Sequence, residues 1–142
     1  MAGHWHKHRK RKMVKFKKED SCPCGSGKKY ADCCELYIAG TLTAPDAQVL
    51  MRSRYTAYTF EDEAYLQKTW HASSRPETII RKQEPCKWTG LNVIAHHQEG
   101  QTATVEFIAK YKLNGRAEKM HEVSRFVFEN GQWFYVEGNF LN

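Results

Sequence analysis

The feature that most constrains this chain is a cluster of four cysteines within 13 positions, in the stretch CPCGSGKKYADCC. The cluster consists of Cys22, Cys24, Cys33 and Cys34. The spacing disfavours a disulfide within either pair, because cysteines this close in sequence bridge only with strain. Crossed disulfides between the pairs stay open, but the basic start of the chain lacks an apolar segment. We therefore expect no secretory signal and a reducing, cytoplasmic compartment.

Zinc fits this spacing better than a disulfide or a redox motif, since the Cys-x-x-Cys of a thioredoxin-like site is absent. Four thiolates at about 2.3 Å form a closed tetrahedral site, which leaves no open position for catalysis. Gly25 and Gly27 allow the backbone to fold around an ion. Lys28 and Lys29 are placed to offset the negative charge of the thiolates. The fifth cysteine, Cys86, is interpreted as an inert thiol.

These residues resemble the SEC-C module, a small zinc-binding segment found at the carboxyl end of the SecA translocase motor and in other bacterial proteins. The pattern C-P-C-x-S-G-x-x-[YF]-x-x-C-[CH] is matched at every position of residues 22–34. The resemblance implies that the four clustered cysteines are zinc ligands. It also implies binding to a protein partner, with ribosome contact as in SecA.

The charge of the chain is concentrated at its start. Residues 1–20 contain eight basic and two acidic residues, a formal charge of +6 that equals the net charge of the whole chain. The pattern predicts a disordered basic tail, for which two roles stay open: contact with RNA, a ribosome or anionic lipid, or simply keeping the chain soluble. His4, His6 and His8 are interpreted as incidental, because ordering three flexible imidazoles around a metal is unfavourable.

The stretch TAPD at residues 43–46 reads as a capping box, with Thr43 as the N-cap and Asp46 at N3. It predicts a helix that continues through about Tyr58. Arg54 falls on the apolar stripe of this helix and is therefore expected to face inward.

A second helix is predicted over residues 62–71, with Trp70 on its apolar face. The stretch SRPE at residues 74–77 repeats the capping-box pattern and predicts a short third helix ending near Lys82. After Pro85 the pattern changes to strands, which predicts an α+β fold.

Two Asn-Gly pairs, Asn114-Gly115 and Asn130-Gly131, predict two-residue hairpin turns in an antiparallel meander. The predicted strands cover residues 87–96, 101–113, 116–129 and 132–140. The turns also predict the register: Leu113 faces Arg116 and Glu129 faces Gln132. The same register places Phe107 opposite Glu122, Val105 opposite Ser124, Phe126 opposite Tyr135 and Ser124 opposite Glu137.

Glu122, Ser124 and Glu137 would then share the inward face with aromatic residues, and buried carboxylates need a partner or a proton. Arg54 is the candidate partner. A polar pocket, a structural ion pair and a strand end that reaches water all stay open, and a one-residue bulge would move these groups outward. His121 points to the opposite face in this register.

The segments LMRSRYTAY, YLQKTWHASSRPE, VEFIAKY and HEVSRFVFENGQWFYVEG resemble the bacterial YchJ-like family over about residues 21–140. The resemblance implies an NTF2-like cone of three helices packed on a curved antiparallel sheet, with a central cavity. It implies no established activity. The residues that recur in the family are Arg52, Ser53, Arg54, Tyr55, Trp70, His71, Arg75, Pro76, His121, Glu122, Trp133 and Tyr135.

We therefore expect a disordered basic tail over residues 1–20, a SEC-C zinc module over 21–40 and an NTF2-like domain over 41–142. The leading hypothesis is a zinc-containing adaptor that binds a protein or ribosomal partner. The alternative is a small-molecule binder or isomerase-like enzyme that uses the cavity. The sequence assigns no catalytic residue and predicts no membrane span. The candidate pocket residues are Arg54, Tyr55, Trp70, Glu122, Ser124, Tyr135 and Glu137.

Overall fold

The computed structural model describes residues 16–80 and 86–141. Its centre is one antiparallel sheet of four strands in the order β1-β2-β3-β4. Most of the predicted basic tail, its histidines and the expected end of the third helix lie outside the described residues. The strands are β1 (Cys86–Glu99), β2 (Thr102–Leu113), β3 (Arg116–Glu129) and β4 (Gln132–Phe140).

The two Asn-Gly turns confirm the predicted hairpins. Asn114 and Asn130 both have φ 54°, and the glycines after them are also in the left-handed region, as the type I′ turn requires. The β2–β3 register follows the prediction throughout, including Phe107 opposite Glu122 and Val105 opposite Ser124.

The β3–β4 register follows the prediction only as far as Phe126 opposite Tyr135. A bulge beyond this pair places Glu137 opposite Arg125 and Gly138 opposite Ser124. Because one extra residue reverses the side on which the following side chains point, Glu137 leaves the inward face. Its predicted place opposite Ser124 is therefore wrong, whereas Glu122 and Ser124 stay inside.

Three α-helices precede the sheet: α1 (Cys34–Ile38), α2 (Ala47–Thr59) and α3 (Glu63–Lys68). The predicted N-cap Thr43 is wrong, because α2 is capped by Asp46, whose Oδ1 accepts a 2.8 Å hydrogen bond from the Val49 amide. The physical reason is Pro45, since a residue that precedes proline disfavours helical backbone angles. The second predicted helix exists but is shorter and is capped by Asp62.

The described part of the predicted third helix, residues 74–80, is irregular. Side chains of α3 bind its backbone instead. Glu63 accepts hydrogen bonds of 2.9 Å from the amides of Ile79 and Ile80, and the Gln67 amide group donates to the Glu77 carbonyl at 3.0 Å. These bonds satisfy backbone groups that a helix would pair internally. The predicted cone of three helices is therefore corrected: two helices, α2 and α3, lie at predicted positions. The other helix, α1, belongs to the cysteine segment, the part of the chain that contains the four clustered cysteines.

Helix α2 lies between the sheet and the cysteine segment. It contacts β1, β2 and β4 on one side and α1 on the other. It is therefore buried nearly all round, and its apolar residues form one core with the sheet and with Cys22, Cys24 and Cys34. Within the described ranges, no helix is long and apolar enough to cross a bilayer.

Candidate functional site

The first cysteine pair lies on a small hairpin. Ser21 and Lys29 form an antiparallel bridge, and the Cys22 amide donates to the Lys28 carbonyl at 2.8 Å. Gly25 turns the chain with φ 79°, and a β-carbon there would lie 3.2 Å from the Leu91 carbonyl oxygen of β1. Gly25 therefore serves both the turn and the close approach of the hairpin to the sheet.

The structure brings the four predicted ligands together. The sulfur atoms of Cys22, Cys24, Cys33 and Cys34 all lie within 4.8 Å of one another, and no disulfide joins them. Cys24 Sγ and Cys33 Sγ are 3.6 Å apart, close to the edge of about 3.8 Å that a tetrahedron of Zn–S bonds of about 2.3 Å would have. The donor set and its spacing fit a tetrahedral metal ion.

The protonation of the cluster supports the same interpretation. Burial raises the pKa of the Cys33 thiol to about 11, and hydrogen bonds with Cys22 and Cys24 together with burial raise the pKa of Cys34. Hydrogen bonds from Cys22 and Cys34 lower the pKa of Cys24. Burial thus opposes ionisation of Cys33 and Cys34, and a bound cation would favour the thiolate form that metal binding requires.

Polar groups of α2 and the hairpin contact the cluster. Thr56 Oγ1 lies 3.3 Å from Cys34 Sγ and 3.7 Å from Cys22 Sγ, and Ser26 Oγ lies 3.1 Å from Cys33 Sγ. Arg52 Nη1 donates a 2.7 Å hydrogen bond to the Cys24 carbonyl. Sequence reasoning missed Thr56, because its contact depends on which side of α2 faces the cysteine segment.

The lysines expected to offset the thiolate charge lie at the surface. Lys28 and Lys29 are exposed, and Lys29 Nζ forms a 3.0 Å ion pair with Glu19. Lys18 forms a similar 3.0 Å pair with Glu35. This side of the module therefore presents charged groups to solvent rather than to the sulfur atoms.

A second candidate site is a cavity of about 330 Å³ between α2 and the inward face of the sheet. Six of the seven predicted pocket residues line it, and Glu137 does not. Its mouth reaches solvent at the end of β4, because the lining residue Phe140 is 66% exposed. The predicted residues that line the cavity are Arg54, Tyr55, Trp70, Glu122, Ser124 and Tyr135.

Arg54 is the buried cation of this cavity, with only 4% of its surface exposed. Its Nη1 donates hydrogen bonds to the Leu66 carbonyl at 3.0 Å and to Thr69 Oγ1 at 2.7 Å. The guanidinium carbon lies 5.2 Å and 4.6 Å from the ring centres of Trp70 and Tyr135. Burial lowers the pKa of Arg54, but a guanidinium stays charged in proteins.

Backbone pairing explains how Trp70 reaches this position. The His71 amide donates to the Tyr135 carbonyl at 2.7 Å, and the Tyr135 amide donates to the Thr69 carbonyl at 2.9 Å. Residues 69–71 thus run parallel to β4, and the rings of Trp70 and Tyr135 meet edge to face at 4.7 Å.

Glu122 is the buried acid, 7% exposed, and Ser124 Oγ donates a 2.7 Å hydrogen bond to its Oε2. Burial raises the pKa of Glu122, an effect that the Ser124 hydroxyl, the Arg54 charge and the Tyr135 hydroxyl oppose. The carboxylate packs against the backbone of Gly138, where any β-carbon would overlap it. Gly138 was missed, because the bulge that brings it opposite Ser124 has no signal in the sequence.

The expected ion pair between Arg54 and Glu122 does not form. Among the residues that the structure describes, the ion pairs within 4.0 Å join other side chains. Both groups nevertheless line the same cavity, where the acid favours the charged form of the arginine. Burial also raises the pKa of Tyr58 and Tyr135.

The remaining candidates lie away from the cavity. Glu137 Oε2 pairs with Arg125 at the exposed face of the sheet, at 3.0 Å. His121 lies on the outward face as predicted, where its Nε2 is 2.7 Å from Glu106 Oε2. His71 Nε2 lies 2.9 Å from Glu129 Oε1, and Cys86 is the exposed first residue of β1.

Two family models match the chain. Residues 20–36 match the SEC-C motif, and residues 46–138 match the middle NTF2-like domain of YchJ. The first match contains the cysteine cluster, and the second contains every residue that lines the cavity except Phe140.

Curated bacterial proteins named UPF0225 are similar over most of their length. A Bordetella parapertussis protein is 46% identical over 122 residues, which cover 84% of this chain and 92% of the relative. A Methylibium petroleiphilum protein is 47% identical over 118 residues, which cover 82% and 86%.

Two solved structures have the same fold. The solution structure of a SEC-C motif containing protein from Rhodopseudomonas palustris is 34% identical, with a TM-score of 0.77 over 85% of this chain and 98% of that one. The crystal structure of a SEC-C motif containing protein from Psychrobacter arcticus is 27% identical, with a TM-score of 0.71 over 84% and 82%. The arrangement of a cysteine segment on a helix-covered sheet is thus shared across these bacterial proteins.

Proposed function

Because the chain belongs to the YchJ-like, UPF0225 family of bacterial proteins, we propose that it is a zinc-containing binding protein rather than an enzyme. The observation that carries the zinc assignment is the set of four cysteine sulfur atoms within 4.8 Å of one another. Four thiolates would close the coordination sphere, so the ion would have a structural role. It would hold the hairpin and α1 against α2, where three of the cysteines join the core.

Metal analysis tests this assignment. Protein purified without chelators should contain about one zinc per chain, and cobalt substitution should give the absorption bands of a tetrahedral thiolate site. Cys33→Ser should lose the metal, whereas Cys86→Ser, at a cysteine outside the cluster, should retain it. Zinc-free wild-type protein that refuses added zinc would contradict the proposal.

The exposed side of the cysteine module is the proposed contact with a protein or ribosomal partner in the cytoplasm. Gly27, Lys28 and Lys29 are exposed there, while the sulfur atoms behind them are mostly buried. The basic residues 1–20 would strengthen binding to RNA-rich surfaces. The four thiols without disulfides suit a reducing compartment.

Co-sedimentation with purified bacterial ribosomes tests the ribosomal form of this proposal. Lys28→Glu should weaken binding several-fold, whereas Lys119→Glu, at an exposed lysine of β3, should not. Removal of residues 1–15 should reduce both the affinity and its salt dependence. Equal loss in the two lysine variants would indicate nonspecific attraction and overturn the docking role of the module.

The cavity favours a second function, the binding of a small molecule. It is enclosed largely by aromatic and aliphatic side chains and contains a few convergent polar groups, which is typical of ligand sites. An isomerase-like reaction would need a carboxylate base and a hydrogen-bond donor, roles for which Glu122 and Tyr135 are candidates. Replacing Glu122 by Gln should then change ligand binding and leave the fold intact.

A further inference from the structure

We propose that the cavity binds a small organic monocarboxylate with a planar apolar body, whose carboxylate faces Arg54. This inference rests on the small-molecule binding proposed above and specifies the class of ligand. It depends on three observations: a buried cation without a contacting anion, a neighbouring acid in a fixed position, and walls made of rings.

The buried cation is the first observation. Arg54 Nη1 donates hydrogen bonds to a carbonyl and to a hydroxyl, the Tyr58 side chain also interacts with the guanidinium, and two aromatic rings lie close to its carbon. Within residues 16–80 and 86–141, its guanidinium has no carboxylate partner closer than 4.0 Å. A buried charge is unfavourable unless an opposite charge contacts it, so a bound anion would be stabilised here. The planar fork of a guanidinium matches a carboxylate in shape.

The neighbouring acid limits the charge of the ligand. Glu122 accepts a hydrogen bond from the Ser124 hydroxyl and packs on Gly138, and these two contacts hold its carboxyl group at the wall of the cavity. A single buried arginine beside this acid suits one negative charge, because a doubly charged phosphate would meet stronger repulsion from Glu122. In its protonated form, which burial favours, Glu122 would donate a hydrogen bond to a ligand oxygen.

The walls determine the body of the ligand. Tyr55, Trp88, Phe107 and Phe126 are among the rings that line the cavity, and the flat faces of such rings favour a planar molecule. The volume of about 330 Å³ is at the lower end of ligand cavities, which run from about 300 to 1,000 Å³. It suits one or two rings with a short chain, and the exposed Phe140 marks the entry.

The test compares three probes that share one body: 3-phenylpropanoate, 3-phenylpropanamide and 3-phenylpropylamine. Binding to the full chain, loaded with zinc, is followed by tryptophan fluorescence, to which Trp70 and Trp88 of the cavity contribute, and by amide chemical shifts, which locate the site. The carboxylate should bind at least about tenfold more tightly than the amide, and the amine should bind most weakly. The shifts should lie on α2, β3 and β4 around the cavity.

Two variants separate a cavity ligand from a surface ion. Arg54→Met should abolish the preference for the carboxylate, but this variant loses structural hydrogen bonds and needs a folding control.

The second variant, Glu122→Gln, keeps the shape of the cavity and tests the proposal without that folding control. Arg54 and Tyr58 of α2, Tyr135 of β4 and Ser124 face Glu122. Loss of the acid among these groups should strengthen carboxylate binding at about pH 8 by several-fold and reduce its dependence on pH.

The possible results distinguish the ligand class from the underlying function. If none of the three probes shifts cavity residues at millimolar concentration, small-molecule binding in the cavity is overturned together with the ligand class. If the amide or amine binds as tightly as the carboxylate, the carboxylate class is overturned while cavity binding stands. Shifts confined to exposed lysines would also overturn the proposal, since they would indicate surface attraction.

Discussion

The carboxylate of Glu122 packs directly on the backbone of Gly138, which lies opposite Ser124 on the neighbouring strand. A β-carbon at Gly138 would overlap Glu122 Oε2 and lie 3.0 Å from its Cγ. The absence of a side chain at Gly138 therefore leaves the space that the buried carboxylate occupies.

Gly138→Ala should destabilise the protein by about 1–3 kcal/mol, because the added methyl group forces the Glu122 side chain out of its position. Urea unfolding measures the change. In an Glu122→Ala background the same substitution should have a much smaller effect, since the atoms that it overlaps are gone. Asn139→Ala, at an exposed position of the same strand, is the control. Additive effects of the two substitutions would contradict the contact.

Thr56→Val should weaken metal binding by about tenfold, because the Thr56 hydroxyl contacts two of the four sulfur atoms while the Val side chain has the same shape without a donor. Competition with a coloured zinc chelator measures the affinity. Thr59→Val is the matched control on the same helix, because the Thr59 hydroxyl bonds the Thr56 carbonyl and not a cysteine. Equal affinities of wild type and Thr56→Val would show that the hydroxyl has no role at the metal.

Glu122→Gln should change how stability depends on pH. Burial raises the pKa of Glu122 in the folded protein above its ordinary value of 4.5, so folding favours the protonated form. As the pH rises from about 4.5 through the folded pKa, the unfolded chain releases this proton first, and the wild type loses stability. The stability of the wild type relative to Glu122→Gln should therefore fall as the pH rises above about 4.5 and level off once the folded carboxyl group has ionised.

Urea unfolding at several pH values measures this difference, with Glu99→Gln at an exposed carboxylate as the control. A difference between wild type and Glu122→Gln that rises with pH would have the wrong sign and would indicate that the ionised carboxylate is stabilised in the fold.

Arg54→Lys should destabilise the protein by about 2–4 kcal/mol, because lysine keeps the charge but loses the paired hydrogen bonds to Leu66 and Thr69 that connect α2 to α3. Thermal or urea unfolding measures the loss. Arg125→Lys is the matched control, since Arg125 forms an exposed ion pair with Glu137 that should contribute less than about 1 kcal/mol. Similar losses in the two variants would contradict a special role for the buried arginine.

Much of the sheet follows from short local signals. The Asn-Gly turns require left-handed backbone, and Asn114 and Asn130 adopt it, so the register of β2 with β3 could be read from the turn outward. The same reasoning fails in β4 after Tyr135, where a bulge that no turn residue signals shifts the register. The extra residue of this bulge turns the side chain of Glu137 away from the cavity.

The helices show the same division. The N-cap of α2 is Asp46 and not Thr43, because Pro45 disfavours helical backbone angles at the residue before it. This effect of proline is local, but the capping-box pattern does not take it into account. The helix expected after Ser74 is absent in its described part. Glu63 and Gln67 of α3, ten to seventeen positions earlier in the chain, bind the backbone of this segment instead. Such long-range hydrogen bonds override a local helix signal.

By itself, the sequence determined the cysteine cluster, the hairpins, the inward position of Arg54 and the family. The first three depend on cysteine spacing, turn geometry and helical periodicity, which act between near neighbours, and the family depends on motifs along the chain. The tertiary structure alone decided that Thr56 contacts the cysteines, that Glu122 packs on Gly138 and that Arg54 bonds α3 instead of Glu122. Each of these contacts joins segments that meet only when the chain packs, because burial and hydrogen bonding across elements are settled by the whole fold.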